Sequence, residues 1–315
     1  MTTTTKIHFF CDESGAKGYA DHDETYPGET GVFAGILVPD ARLAEVAPTF
    51  QAIHDRYKPA TGKLHITDLP NNSKQSLRNE IYVAIRMFDL PCFWYAIHVA
   101  GLHDLHKKTE SALKKTIATQ ELAGAEAGRH LKRGSPRSDP SSMHTELFTG
   151  LFRHVVAFLI ERRQANVEIE IQSDQIDSPI IKTFEGDARD LISSATSSQA
   201  VTAYDPQSKT ILKGKVDVGI DGPFGSDLAG IVQSLKIVPP LSGDGLVLAA
   251  DVLANSLFYH FNHRGSADLF GELNCPDAVA GHPLSAHLDA FLNWGPGDLV
   301  GDRLYRHPKA PPVDA

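Results

Sequence analysis

Cysteine is scarce in this chain, with three in 315 residues at Cys11, Cys92 and Cys275. So odd and widely spaced a set makes neither a disulfide framework nor a CxxC metal knuckle, which predicts reduced thiols and a cytoplasmic setting. Long apolar runs are missing too. None approaches the about 18 residues that span a bilayer, so no membrane partner is expected. The stretch Met1–Lys6 is polar, without the basic-then-apolar layout of a signal peptide. Excess positive charge is also absent: 30 Lys and Arg against 39 Asp and Glu give a net charge of −9. No global field advertises nucleic acid or an anionic surface. There is no GxSxG nucleophile elbow, no HExxH, no Walker A loop and no GxGxxG after a strand, so the common hydrolase, protease and nucleotide-binding routes lose their support.

The composition, 42% hydrophobic and 22% charged, excludes a coiled coil, a collagen-like fibre and a largely disordered chain. Lys6–Asp12 reads as a strand and runs into the glycine turn Glu13-Ser14-Gly15. Gly31–Val38 is nearly all apolar, the pattern of a strand buried on both faces. Asp40 is placed to cap a helix to about Tyr57, and Ser73 to cap one to about Phe88. Between them lies the extended segment Gly62–Leu69. Pro91–Ala100 is a third strand, followed by helix formers from His103 to about Lys132. In the helix Ser141–Arg163, Leu147, Leu151, Val155 and Leu159 form one apolar stripe. Asn166–Asp174 alternates cleanly as a strand. Then come a helix at about Ile180–Ser197, β-like segments near Val201–Tyr204, Thr210–Val218 and Ile231–Val238, and helices at Gly245–Phe261 and Leu284–Trp294. Strands alternating with helices predict one α/β domain over 1–295. Its helical elaboration lies at about 103–163, and 296–315 is expected to be a loose tail.

Acids in unusual places carry the chemistry. Asp12 ends the first strand beside a glycine turn, where a carboxylate can project into a crevice, although Asp-Glu-Ser-Gly is also ordinary turn chemistry. Asp251 sits in GLVLAADVLANSLFY, whose only other polar side chains are Asn255 and Ser256. A lone carboxylate in an apolar helix is costly unless paired or metal-bound. Asp244, just ahead of the run, is the better candidate for the helix cap. Asp174 ends the alternating strand, with Asp177 a nearby substitute. Two carboxylates about 4 Å apart repel by about 4 kcal/mol at an effective dielectric near 20. A cluster of three therefore needs raised pKa values or a divalent cation. Oxygen ligands suit Mg²⁺ or Mn²⁺, which would activate water for phosphodiester hydrolysis.

Asp12-Glu13-Ser14-Gly15 after an N-terminal strand, a later strand ending in Asp174, and Ala250-Asp251 on a late apolar helix together resemble the domain-of-unknown-function family 3800. The resemblance spans about residues 6–262. It implies a ribonuclease H-like mixed sheet flanked by helices, with helical insertions, and a nucleolytic role, often in bacterial or phage defence. Asp12, Asp174 and Asp251 would be its carboxylate core, both catalytic and metal-binding. His65, in Lys63-Leu64-His65, matches a family position and would orient water or protonate the leaving oxygen, with Asp68 holding its tautomer. Lys63 stands where the family often has Glu, which opens the fourth ligand to Glu13 or Asp68. Leu248 replaces a common Gln.

The stretch 102–138 carries eight basic against four acidic residues. Lys107, Lys108, Lys114 and Lys115 recur on neighbouring helix faces. With Lys63 they are the candidate nucleic-acid contacts, although a solvated helical insertion reads the same way. The expectation is a metal-dependent nuclease acting on RNA or DNA. The alternatives are a non-catalytic nucleic-acid- or protein-binding module on the same fold and a small-molecule phosphoesterase. The long apolar helices could also support a homodimer.

Overall fold

The structure is a computed structural model. It describes residues 4–18, 23–124, 132–133, 142–173, 182–186, 188–189, 196–205, 208–219, 231–238, 244–291 and 304–311. In chain order the elements are β1 (Thr5–Gly15), β2 (Thr30–Pro39), α1 (Asp40–Tyr57), α2 (Asn71–Phe88), β3 (Cys92–His98), α3 (Val99–Gly124) and β4 (Lys132–Arg133). They continue with α4 (Met143–Glu161), β5 (Val167–Ser173), β6 (Thr196–Asp205), β7 (Thr210–Gly219), β8 (Val232–Val238), α5 (Gly245–Asn262) and the short α6 (Ser285–Leu288).

The architecture is mixed α/β, with a five-stranded mixed sheet flanked by helices. Its order is β3-β2-β1-β5-β8; β4, β6 and β7 form a second sheet. In the main sheet β1, β2 and β3 pair antiparallel, while β5 and β8 run parallel to β1. Side chains alternate across a strand, and the two core clusters follow that alternation. Phe10 of β1 packs with α1, α2 and α5 on one face, whereas Ile7, Phe9 and Cys11 pack with α4 on the other. Each large side chain so buried contributes about 1.5–3 kcal/mol. By the same alternation Asp12 belongs to the α5 face. α5 is apolar nearly all round, as a helix covered on several sides must be, and it packs on β1, β2, α1 and α2.

Several boundaries differ from the sequence reading for local reasons. Asp40 does not cap α1: Pro39 holds the cap position, and Asp40 Oδ1 lies 2.7 Å from His8 Nε2. Ser73 lies inside α2, which starts after Pro70, whose φ of −60° and ψ of 152° set the entry. α3 springs directly from β3 at Val99 and ends at Gly124, short of Lys132, which pairs with Tyr204 as a strand. The final helix shrinks to Ser285–Leu288. Leu284 and Leu288 bury on the α5 face and Phe291 on the α4 face, so the chain leaves its helical path to cross between them. Asp244 does cap α5, accepting from Leu246 N at 2.8 Å.

The tail is not loose where it is described. Over 304–311, Tyr305 and His307 are buried. The Tyr305 hydroxyl donates to Glu146, and His307 Nε2 lies 3.0 Å from Glu24 Oε2. Burial of an aromatic ring and satisfaction of Glu24 outweigh the freedom that proline-rich ends usually keep. No helix among the described residues is long and apolar enough to cross a membrane.

Candidate active site

Asp12 does not end β1: the strand continues through Glu13 and Ser14 to Gly15, and Asp12 pairs with Ala34. Its side chain is only 7% exposed, with Oδ1 accepting the Glu13 N–H at 2.9 Å. Asp251, half-buried on α5, accepts the Ile66 N–H on Oδ2 at 3.0 Å. That bond ties the segment carrying Lys63, His65 and Asp68 onto α5, where Ile66–Asp68 makes a single tight turn. Two acids that lie 239 positions apart in the chain thus reach one locality. Asp12 lies in the field of Asp251: burial raises the pKa of Asp12 well above the ordinary 3.8, and the charges of Glu13 and Asp251 raise it further. Burial also raises Asp251; the Ile66 N–H, His65 and Lys63 oppose that, and Asp68 adds to it. Neither carboxylate forms an ion pair with a described basic side chain.

Glu13 alternates toward α4 and is otherwise engaged. Its Oε1 accepts from Lys17 Nζ at 2.7 Å, and its Oε2, buried and without a hydrogen bond, lies 3.8 Å from His144 Nε2. Lys17 and His144 escaped the sequence reading. The four-residue step from Glu13 to Lys17 signals a pair only on a helix, and here it spans the end of a strand; His144 is joined by the packing of α4. Lys63 is exposed, yet burial of its stem lowers its pKa against the pull of Asp12 and Asp251. His65 is half-buried beside Ile66.

Asp174 and Asp177 lie outside the described residues. The described part of β5 ends at Ser173, in register with Cys11 and so one position short of Asp12 along the sheet. Among the described residues no group of three or more His, Cys, Asp or Glu side chains is gathered to hold a metal ion. Lys107 and Lys108 are exposed on α3, and Lys108 pairs with Asp104 at 2.6 Å across one helical turn. Lys114 and Lys115 belong to α3, but their side chains lie outside the described part.

No protein-family model matches the chain, and no curated protein matches its sequence. The site therefore speaks through its chemistry. A buried carboxylate without a counter-ion is costly unless it is protonated or meets a cation. Asp12 and Asp251 fit a hard divalent cation as oxygen donors. They also fit a proton-sharing acid pair, since neighbouring acids split their titrations.

Proposed function

We propose that the chain is a divalent-metal-dependent nuclease of ribonuclease H-like fold that hydrolyses phosphodiester bonds. The observation that carries this reading is the convergence of two carboxylates without an ion pair, buried Asp12 from β1 and half-buried Asp251 from α5. The strand order, an antiparallel β1-β2-β3 meander extended by two strands parallel to β1, supports it. The resemblance to the domain-of-unknown-function family 3800 supports it as well, and with it a cytoplasmic role in bacterial or phage defence. Asp12 and Asp251, completed by Asp174, would hold Mg²⁺ or Mn²⁺. When bound, such an ion lowers the pKa of water and stabilises charge on the phosphoryl oxygens.

The chain's own groups do the rest. A water oxygen attacks phosphorus, its proton passes to a carboxylate of the pair, and one P–O ester bond breaks. His65, fixed beside the Ile66–Asp251 bond, gives a proton to the leaving oxygen. Lys63 offsets negative charge on the phosphate.

The test is incubation with RNA and DNA, single-stranded and duplex, with Mg²⁺ or Mn²⁺. Asp251→Asn is expected to slow cleavage at least about 100-fold, the usual scale for losing one transition-state contact. Full cleavage by that variant, or none by the unaltered protein on every substrate, would overturn the reading.

The charges of Lys63 and Lys17, both of which act on Asp12 and Asp251, favour a second reading. Two ammonium groups could supply the positive charge that a cation would bring, leaving a module that binds without cutting. Lys63→Glu then separates the two: a gain of metal-dependent cleavage marks the binding module, whereas loss or no change in an already active protein marks the nuclease.

A further inference from the structure

Arg78 of α2 carries a charge that no carboxylate among the described residues answers by an ion pair. Its Nη2 donates to Asn255 Oδ1 at 2.7 Å, and its buried Nε has no hydrogen-bond partner. The guanidinium lies over the ring of Tyr259, 5.1 Å from the centroid. Tyr259 is 52% exposed and stacks parallel to the exposed ring of His263, with centroids 4.9 Å apart and planes within 5°. His263 Nδ1 meets the Tyr259 carbonyl at 2.8 Å, which pins that ring.

These residues extend a line that begins at the candidate active site. Asp251, Asn255 and Tyr259 recur every four positions along α5, so they share one face, and His263 follows as the residue that caps the helix. Asp251 and Tyr259 are about 12 Å apart along the axis at 1.5 Å per residue. The line therefore runs from a half-buried acid, past a guanidinium that no carboxylate pairs, to an open pair of parallel rings. A guanidinium that no carboxylate pairs suits a phosphate, and exposed rings suit unpaired bases, every one of which has a face to stack.

We propose that this α2–α5 face binds single-stranded nucleic acid and leads it to Asp251. Arg78 contacts a backbone phosphate, and Tyr259 with His263 forms the base-stacking platform. The direction of the track rests on the nuclease reading, but the binding does not. Duplex is disfavoured because its bases are stacked on each other and present no free faces.

The experiment uses the full chain and fluorescein-labelled single-stranded DNA and RNA oligonucleotides of matched sequence, followed by anisotropy in EDTA. The unaltered protein is expected to bind at least one of them. Tyr259→Ala should weaken binding about tenfold, within the range of one lost stacked base, whereas Tyr259→Phe should bind as before. Arg78→Gln should weaken binding and flatten the dependence of log K on log salt by about 0.7, the signature of one phosphate on a single strand. Arg78→Lys should restore the slope. If the cluster merely ties α2 to α5, these variants lower the melting temperature and leave affinity and salt slope unmoved, which overturns the proposal. So does the absence of binding to both strands, or duplex binding as tight and indifferent to Tyr259. Cleavage abolished by Asp12→Asn with binding indifferent to Arg78 and Tyr259 sinks this inference and leaves the nuclease reading standing. Binding that depends on both, with no cleavage under Mg²⁺ or Mn²⁺, does the reverse.

Discussion

Neutralising Asp12 should make the protein more stable, not less. Its carboxylate is buried within β1, and that burial, together with the charges of Glu13 and Asp251, raises its folded pKa. Between the ordinary value of 3.8 and that raised value the folded state binds more protons than the unfolded one, so stability falls as pH rises through the window. At pH 7 an ionised Asp12 thus carries a penalty that Asp12→Asn removes. Burial of an imperfectly satisfied polar group costs about 1–3 kcal/mol in proteins, and for a chain of this size each kcal/mol corresponds to about 1.5 °C in Tm. Asparagine can still accept the Glu13 N–H. Asp251→Asn should gain less, because Lys63, His65 and the Ile66 N–H favour the ionised form there. The double variant should fall short of the sum, since the mutual repulsion is removed only once. The assay is thermal and urea unfolding in EDTA at pH 7 and at pH 4. Near pH 4 the gain from Asp12→Asn should vanish. Destabilisation by both single variants at pH 7, adding independently, would show that the acids are ordinary structural hydrogen-bond partners and refute the reasoning.

Three further outcomes are expected. A cation held by Asp12 and Asp251 should raise the melting temperature: at about 100 times Kd, linkage contributes about 2.7 kcal/mol. Scanning with Mn²⁺ should show this shift in the unaltered protein and lose it in Asp12→Asn. Acid should weaken the fold through two buried neutral histidines, since burial lowers His98 to about 4 and His282 to about 3. Both then bind fewer protons when folded, so stability is present above the ordinary 6.5 and is lost as pH falls below it. From pH 7 to 5 the loss is about 2 kcal/mol for each, and in urea unfolding His98→Gln should reduce the stability lost over that interval by about 2 kcal/mol. Finally, Gly101→Ala should expel the 304–311 segment, because an added Cβ would sit 1.9 Å from the Tyr305 carbonyl oxygen. The expected cost is about 1–3 kcal/mol, with faster proteolysis after residue 303.

Local patterns in the sequence were enough to place the strands of the main sheet and the long helices, but not β4, which falls in a stretch that reads as helix and loop. β2 reads as buried on both faces because every side chain in it is apolar or small, β5 because its polarity alternates, and α5 because Asp244 caps an unbroken apolar run. Asp251 was legible as an anomaly for the same reason: a charge has no reason to interrupt such a helix unless something meets it. Tertiary structure decided what meets it. Only the packing of α5 over β1 brings Asp251 within the field of Asp12, and only the Ile66–Asp251 bond draws Lys63 and His65 to the same place. The short-range rules misplaced Asp40, which serves His8 instead of its helix, and the C-terminal tail, which Glu24 and Glu146 hold from across the molecule. The line Asp251, Asn255, Tyr259 could be drawn on a helical wheel, but Arg78 lies on another helix, and no spacing within one element records a contact between two. Periodicity along a chain reports which face of an element avoids water. Which faces then meet depends on the sheet order and on how the helices cross, and those are properties of the folded whole.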